Sequence, residues 1–592
     1  MPNKNKRRRE DVVDNTTNIV KVGGESDNAE ELVALNIKDD GNNQSSSVGD
    51  MDDFFSTRPH PLLIPHIIEL VFDYLFLPQI NRNIPDVRSV RLVSRTWNVI
   101  ATKLYRRNSE DLVFGEQHGS DSKRMRKFLR DMHHSFDNPI ETYRFDPGFF
   151  TQRNEFLFKN FLYSSTQWIV TLKMWFDNQS DLRFRKRCYA SLKLDCLNYL
   201  FFGCVNYRGT CSAERMELTY ALDALLVAAT RLKKFCFSFP PKDIKSQQGM
   251  IKRFGDLVSS KCPKSVTNLK LEMKLTDAQV DALKDIGLSL DVLHCDFRGS
   301  ILSSNVLFNL FQQQESSLQE IRLLDSEIKY AYELKFPRFK KLTVLEIQGG
   351  SISKFSFKDN FPVLERLLLF GWENEKTNNL MLQSTTPCTT LTSLELPYKI
   401  HDQNIINLAT KCFPNLKKLE ITPTQEGMGV LASVFANLVQ LEELEITFPF
   451  IIDVEMNVDP VFTGMSLDDC EFLSRCTFPG NLETVNYSYL QASPSIANLS
   501  KLKKLTILDH SNEIRLTDLT AYFGLLRLAS LEVLEMSRFN ISSEIFQVLK
   551  EKVHLCENYD SSDSCSDATF SSDSSCDLDQ LEFNISEEDE TL

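Results

Sequence analysis

Residues 342–347 read LTVLEI, and the same arrangement of apolar and variable residues returns six more times along the chain. An apolar residue is followed by two variable residues, an apolar residue, one variable residue and a last apolar residue. The other clear copies are LERLLL (364–369), LTSLEL (391–396), LKKLEI (416–421), LEELEI (441–446), LKKLTI (502–507) and LEVLEM (531–536). On a strand, the last two apolar residues of each copy point to one face and the residue between them to the other. The pattern therefore predicts one short strand in every copy.

Further copies extend the repeat toward both ends of the chain. They begin at Val266, Leu290, Leu318 and Leu482, and more divergent ones at Ile140, Ile169, Tyr189 and Leu232. Adjacent clear copies start roughly 20 to 29 residues apart, and helical patterns fill the return half of several units. In this spacing the sequence resembles the leucine-rich-repeat superfamily. The resemblance implies an α/β solenoid over residues 136–555, with parallel strands on the concave face and helices on the convex face.

The outward residue of each predicted strand forms a candidate target-binding surface. In chain order these residues are Arg144, Lys173, Lys193, Lys270, His294, Arg322, Glu346, Leu368, Glu395, Glu420, Glu445, Asn486, Thr506 and Glu535. The charge changes from basic to acidic near the middle, which predicts a bipolar surface that attracts a target of complementary charge. The alternative is that exposed strand positions simply carry solvated charges. The residues singled out for target binding are Arg322, Glu346, Leu368, Phe370, Trp372, Glu395, Glu420 and Glu445.

A separate apolar helix is predicted near the N-terminus, in HPLLIPHIIELVFDYLFLPQI at residues 60–80. Only His66, Glu69 and Asp73 interrupt its apolar surface, and this is wider than one neighbouring helix can cover. Large exposed apolar surfaces mark interaction sites, so a partner protein is expected to supply the missing contacts. LIPHIIELVFDYL (63–75) followed by VRSVRLVSRTWNVIA (87–101) is similar to an F-box, the adaptor-binding module of about fifty residues.

The F-box resemblance implies a function in ubiquitin transfer. The chain would be the substrate-recognition subunit of a cullin-based ubiquitin ligase, in which a Skp-type adaptor binds residues 55–108 and connects them to a cullin, while the repeats bind an unidentified protein target. Such a subunit has no catalytic residue and no cofactor, because it acts by positioning the target. The residues expected to contact the adaptor, or else to pack the three helices together, are Leu63, Pro65, Ile67, Ile68, Val71, Leu75, Val90 and Trp97.

The rival hypothesis is a leucine-rich-repeat scaffold in which the F-box-like helices only cap the open end of the solenoid. A cap should adjoin the first repeat, whereas an adaptor-binding module can stand apart from it. Residues 109–135 are predicted to be a polar linker between the two parts. The long segment 448–480 is either a recognition loop or an irregular repeat.

Both ends of the chain are polar and are predicted to be disordered. Residues 1–54 include a basic run, Lys4 and 6–9, that is a candidate nuclear-import signal. Residues 556–592 contain no Lys or Arg and many Ser and Asp, with candidate phosphorylation sites at Ser564, Ser574 and Ser586. This acidic tail could also fold back on the basic half of the repeats and compete with the target.

Composition excludes several classes of protein. The net charge of −14 argues against a nucleic-acid or anionic-membrane binder, which needs a dense basic field. The sequence has neither a secretory signal nor an apolar run of 18 residues, so the expectation is a soluble cytoplasmic or nuclear protein. Its 14 cysteines lack metal-site spacing and are expected to be reduced thiols, mostly in the core.

Overall fold

The computed structural model describes most of the predicted repeat region. The described residues are 112–115, 121–134, 140–177, 189, 191–204, 212–239, 244–296, 302–324, 333–348, 351–352, 356–371, 374–384, 386–449, 456–475, 493–510, 513–537, 540–553 and 555–559. All eight residues predicted to contact an adaptor, the basic run and the candidate phosphorylation sites lie outside them.

Twenty strands lie within the described residues. They are β1 Leu112–Phe114, β2 Thr142–Phe145, β3 Thr171–Phe176, β4 Tyr199–Cys204, β5 Lys234–Ser238, β6 Asn268–Glu272, β7 Val292–Asp296, β8 Glu320–Leu324, β9 Glu333–Leu334, β10 Val344–Gln348, β11 Ser351–Ile352, β12 Arg366–Phe370, β13 Ser393–Ile400, β14 Lys418–Pro423, β15 Glu443–Phe448, β16 Met456–Asn457, β17 Lys504–Asp509, β18 Ile514–Arg515, β19 Val533–Ser537 and β20 Leu555–Tyr559.

Sixteen of these strands form one parallel sheet in the order β1 to β8, β10, β12 to β15, β17, β19 and β20. Each strand therefore pairs only with the strands of the preceding and following units. Two short parallel pairs, β9 with β11 and β16 with β18, lie outside this main sheet.

Helices occupy the connections between strands. They are α1 Asp121–His134, α2 Glu155–Ser164, α3 Ser212–Ala228, α4 Ile244–Lys261, α5 Asp277–Ile286, α6 Ser304–Gln313, α7 Phe357–Asn360, α8 Asn374–Gln383, α9 Asn404–Cys412, α10 Met428–Asn437, α11 Asp459–Thr463, α12 Leu467–Ser474 and α13 Ser543–Lys552. Short 3-10 and π turns take the place of helices in other connections, as at Ile496–Asn498 and Thr520–Gly524. This is the α/β solenoid that the repeat predicts.

The repeat motif explains each strand. In LTVLEI, Leu342, Leu345 and Ile347 are at most 2% exposed and belong to the core between the sheet and the connections, while Glu346 lies on the other face. Backbone bonds then fix one unit against the next, as where Thr343 N donates to the carbonyl oxygen of Gln319 at 2.8 Å. Because one unit cannot bury its own apolar side, stacking stabilises all of them.

Phenylalanine replaces leucine in the first units, which is why their motif is hard to recognise. Phe114, Phe145, Phe150 and Phe176 are fully buried, and the rings of Phe150 and Phe176 stack with centroids 4.3 Å apart. The divergent copies at Ile140, Ile169 and Leu232 are confirmed as β2, β3 and β5, and those at Val266, Leu290 and Leu318 as β6 to β8.

The copy predicted at Tyr189 is wrong. The strand of that unit is β4, which starts ten residues later at Tyr199, so Lys193 precedes the strand and Phe201 takes the outward position. The Leu482 copy and Asn486 lie outside the described residues, and β15 pairs directly with β17.

The solenoid also extends beyond the predicted boundaries. Strand β1 and helix α1 lie inside residues 109–135, which were predicted to be a linker, and β1 pairs with β2 as the first strand of the main sheet. Phe114 supplies the reason, since its fully buried side chain continues the core. At the other end, β20 reaches Tyr559, past the predicted end of the repeats at residue 555.

Residues 456–463 of the 448–480 segment lie outside the main sheet but within the core, where Val458 and Phe462 are fully buried. Strand β16 pairs with β18, and the buried Asp459 side chain accepts hydrogen bonds from the hydroxyl groups of Thr517 and Thr520, both at 2.7 Å. These contacts anchor residues 456–463 to the unit that follows β17.

Candidate protein-binding face

The register of the main sheet brings twelve of the fourteen predicted outward residues into a single line. We call this line the outward row: Val113, Arg144, Lys173, Phe201, Cys236, Lys270, His294, Arg322, Glu346, Leu368, Glu395, Glu420, Glu445, Thr506 and Glu535. Neighbours in the row are direct Cα partners on adjacent parallel strands, which lie about 4.8 Å apart.

Six of the eight residues predicted for target binding are consecutive in the outward row, from Arg322 on β8 to Glu445 on β15. Phe370 is two positions beyond Leu368 on β12 and is only partly buried. Trp372 lies outside the described residues. The structure thus places the six side chains from Arg322 to Glu445 on one face of the sheet.

Three cations in the basic half of the row, Arg144, Lys270 and Arg322, lie beside carboxylates of neighbouring residues. Arg144 Nε lies 2.9 Å from Asp146, Lys270 Nζ lies 2.8 Å from Glu272, and Arg322 Nε lies 2.6 Å from Glu320. The carboxylates are two residues from the cations and so share their face of the sheet. These three cations are therefore already paired within the sheet.

His294 belongs to the same paired region. Its Nε2 lies 2.9 Å from Glu320 Oε1, and burial lowers the pKa of the imidazole below its usual value. The hydrogen bond from His294, followed by the one from Arg322, lowers the pKa of Glu320 to about 2. The carboxylate stays ionised and serves two partners.

The C-terminal half of the face is acidic. From β10 to β19, the outward strand positions carry six carboxylates and four cations: Glu346, Glu395, Glu420, Glu443, Glu445 and Glu535, with Arg366, Lys399, Lys418 and Lys504. The carboxylates exceed the cations, so this half carries a negative surface charge.

Glu395, Glu420 and Glu445 lie side by side on β13, β14 and β15, and we call them the acidic ladder. Burial, and then the charges of Glu445 and Glu395, raise the pKa of Glu420 to about 7. Burial also raises the pKa of Glu445. Glu395 is only 3% exposed and is held by Arg366, whose guanidinium is 2.6 Å away. The neighbouring carboxylates of the ladder thus oppose the ionisation of Glu420.

Glu346 and Leu368 continue the row beside the ladder. Glu346 is 7% exposed, and its Oε2 lies 3.2 Å from Arg322 Nε without a hydrogen bond. Burial is the main cause that raises the pKa of Glu346. Leu368 on β12 lies between Glu346 and Glu395, so one strand separates the Glu346 carboxylate from the ladder.

An aromatic patch at the other end of the face was missed by the repeat motif. The Trp175 and Phe201 rings lie 4.2 Å apart, over Gly203, and the Lys234 ammonium is 4.6 Å from the Tyr199 ring. A Cβ at Gly203 would lie 2.6 Å from Phe201 and 2.7 Å from Trp175, so only glycine leaves room for this pair of rings. The signal in the sequence is the aromatic run YLFFG at residues 199–203.

The described residues contain neither a metal-binding group of side chains nor a helix suited to crossing a membrane. No group of His, Cys, Asp or Glu side chains there has an arrangement that would hold a metal ion. None of the described helices combines the length and apolar character that a membrane crossing needs.

Comparison with known proteins finds distant similarity only. No protein-family model matches the chain. A curated protein, U2 small nuclear ribonucleoprotein A′ of Candida albicans, is 30% identical over 106 residues, which are 17% of this chain and 44% of that relative. The chain thus spans less than half the length of the relative it matches.

Among solved structures, the crystal structure of the yeast Rad7 and Elc1 complex contains a similar chain. It is 12% identical, with 84% of this chain and 94% of that chain covered, at a TM-score of 0.31. Neither match assigns this chain to a family.

Proposed function

We propose that the chain is the target-binding subunit of a Skp–cullin–F-box ubiquitin ligase. The main sheet offers a long face for binding a protein, and the acidic ladder is the observation that supports the proposed target class, a segment with lysine or arginine side chains. The F-box-like sequence of residues 63–101 supports the connection to a Skp-type adaptor and through it to a cullin.

The proposed role requires no catalytic group on this chain. Holding a target lysine near the ubiquitin thioester of another subunit raises its effective concentration. The ladder favours a cationic target because each lysine or arginine that approaches removes repulsion between neighbouring carboxylates. A cation also lowers the pKa of Glu420, so binding would release a proton near neutral pH.

Co-purification with a Skp-type adaptor tests the ligase proposal. The wild-type chain is compared with an Ile68→Asp, Leu75→Asp double variant whose circular dichroism shows a retained fold. Adaptor bound by the wild type and lost in the variant supports the proposal. A folded wild-type chain that captures no adaptor removes it.

Binding of hexalysine tests the target class independently of the adaptor. The expected result is an affinity that falls with salt and weakens at least about tenfold when Glu395, Glu420 and Glu445 are all replaced by glutamine. The matched control removes three carboxylates that are exposed outside the main sheet, Glu375, Glu426 and Glu544. An equal loss in both variants would show that net charge, and not the ladder, determines binding.

One observation favours the rival scaffold function. Only residues 109–111 separate the predicted F-box from β1, so the F-box-like segment directly precedes the first strand of the solenoid. That proximity is what a capping segment requires. If the double variant at Ile68 and Leu75 unfolds the solenoid, the segment acts as a cap, and the scaffold function takes precedence.

A further inference from the structure

The surface opposite the main sheet contains a groove across three consecutive helices, α8, α9 and α10, which pack in that order. Its volume is about 630 Å³, within the range of about 300 to 1,000 Å³ typical of ligand sites. The repeat motif gives no indication of this groove, because the lining residues belong to connections between repeats and not to the motif.

Side-chain amides dominate the lining of this groove. Asn404 and Asn407 come from α9 and Asn437 from α10, and all three are exposed. Asn437 Nδ2 donates to Asn407 Oδ1 at 3.1 Å and to the Ser433 carbonyl oxygen at 3.0 Å, which fixes the orientation of both amides.

This pairing leaves the amino group of Asn407 and the carbonyl oxygen of the Asn437 side chain unused. Within the described part of the chain, Asn407 Nδ2 donates to no protein group and Asn437 Oδ1 accepts from none. The Asn404 side-chain amide is likewise without a protein partner among the described residues, whereas its backbone N–H donates to Asp402 Oδ1. An asparagine side chain offers a carbonyl oxygen as acceptor and N–H groups as donors, the same kinds of group that a peptide bond presents.

The remaining lining adds an apolar contact and a positive charge. Leu382 on α8 is 60% exposed, and Leu408 on α9 is partly buried beside it in the groove. The exposed Lys411 ammonium makes no ion pair with any described residue. An occupant that uses all of these groups combines backbone amides, an aliphatic side chain and a carboxylate.

We propose that this groove binds an extended segment of a partner protein, through its backbone amides to Asn404, Asn407 and Asn437. Packed helices lie about 8 to 10 Å apart, and an extended chain advances about 3.1 to 3.4 Å per residue. A segment that crosses the groove meets a new helix about every third residue. One aliphatic side chain contacts Leu382, and an acidic side chain pairs with Lys411.

This site is separate from the acidic ladder in both position and chemistry. The ladder lies on the outward face of the strands and attracts cations, whereas the groove lies between helices and selects an extended backbone with a carboxylate. The proposal therefore does not depend on the proposed ligase function.

The test is a selection from a phage-displayed library of random nonapeptides on the full-length chain. Enriched peptides are expected to carry an aliphatic and an acidic residue a few positions apart. A synthetic copy of the best peptide should bind the wild-type chain and bind the Asn407→Ala, Asn437→Ala variant at least about tenfold more weakly, as expected from the loss of two hydrogen bonds.

Two controls make the result specific to the groove. Asn305 and Asn309 on α6 are exposed asparagines outside it, and the Asn305→Ala, Asn309→Ala variant should bind like the wild type. N-methylation of the peptide backbone should weaken binding, because it removes the N–H donors. Failure to enrich any peptide, equal binding to the groove variant, or indifference to N-methylation would each overturn the proposal.

Discussion

Replacing Glu420 by glutamine should make the chain more stable at high pH and leave it unchanged at low pH. The folded chain retains the Glu420 proton up to a pKa of about 7, whereas the ordinary value is 4.5. Between these values the folded state holds more protons than the unfolded state, so the free energy of unfolding falls as the pH rises from 4.5 to 7. Glutamine carries no charge and removes this dependence.

The size of the effect follows from the pKa difference. The shift of the Glu420 pKa from 4.5 to about 7 corresponds to about 3.4 kcal/mol if screening by solvent is ignored. Glu420 is partly exposed, and screening by solvent reduces this to about 1 to 2 kcal/mol. Glu420→Gln should therefore raise the free energy of unfolding by about 1 to 2 kcal/mol at pH 8 and by close to zero at pH 4.5.

Urea denaturation of both proteins at pH 4.5, 6 and 8 measures the difference directly. Glu442→Gln is the control with the opposite sign, because the ammonium groups of Lys417 and Lys503 lower the pKa of Glu442 to about 2. Removing that carboxylate should lower stability at neutral pH and have no effect below pH 2. A gain from Glu420→Gln that is equal at pH 4.5 and 8, or a loss at pH 8, would refute the electrostatic account of the ladder.

Two further changes test the packing of the described regions. Gly203→Ala should lower the free energy of unfolding by about 1 to 3 kcal/mol and alter the near-ultraviolet circular dichroism, because its Cβ would collide with Trp175 and Phe201. An unchanged spectrum and midpoint would show that the rings can separate at no cost. Asp459→Asn should cost about 1.5 to 3 kcal/mol in urea denaturation, because a buried carboxylate that accepts from Thr517 is replaced by a neutral amide. A cost below 0.5 kcal/mol would contradict a charge-assisted anchor.

The sequence predicts the outward row well where leucine defines the strand. In the units of Glu346, Glu395 and Glu445, both inward positions are leucine or isoleucine, so the residue between them must point to the opposite face of the sheet. Pattern and register then agree, because a slip of one residue would expose the whole apolar set.

Prediction fails where two patterns compete. YASLKL at 189–194 matches the motif, but LNYLFF at 197–202 also matches if phenylalanine is accepted, and its aromatic residues favour a strand more strongly. Strand β1 is missed for a different reason, since LVF at 112–114 is too short to show a period. Predicting the ion pair of Arg144 and Asp146 requires knowing which face of the sheet each side chain lies on, as well as its charge.

Sequential strand pairing has a consequence for synthesis of the chain. Each strand of the main sheet needs only the strand before it, so a unit can join the sheet edge soon after it leaves the ribosome. The segment 456–463 is different, because Asp459 obtains its hydroxyl donors 58 and 61 residues later, from Thr517 and Thr520. During translation of that interval, the nascent chain contains a carboxylate whose native partners have not yet been made. A pause in elongation there would prolong the interval in which this carboxylate must stay hydrated.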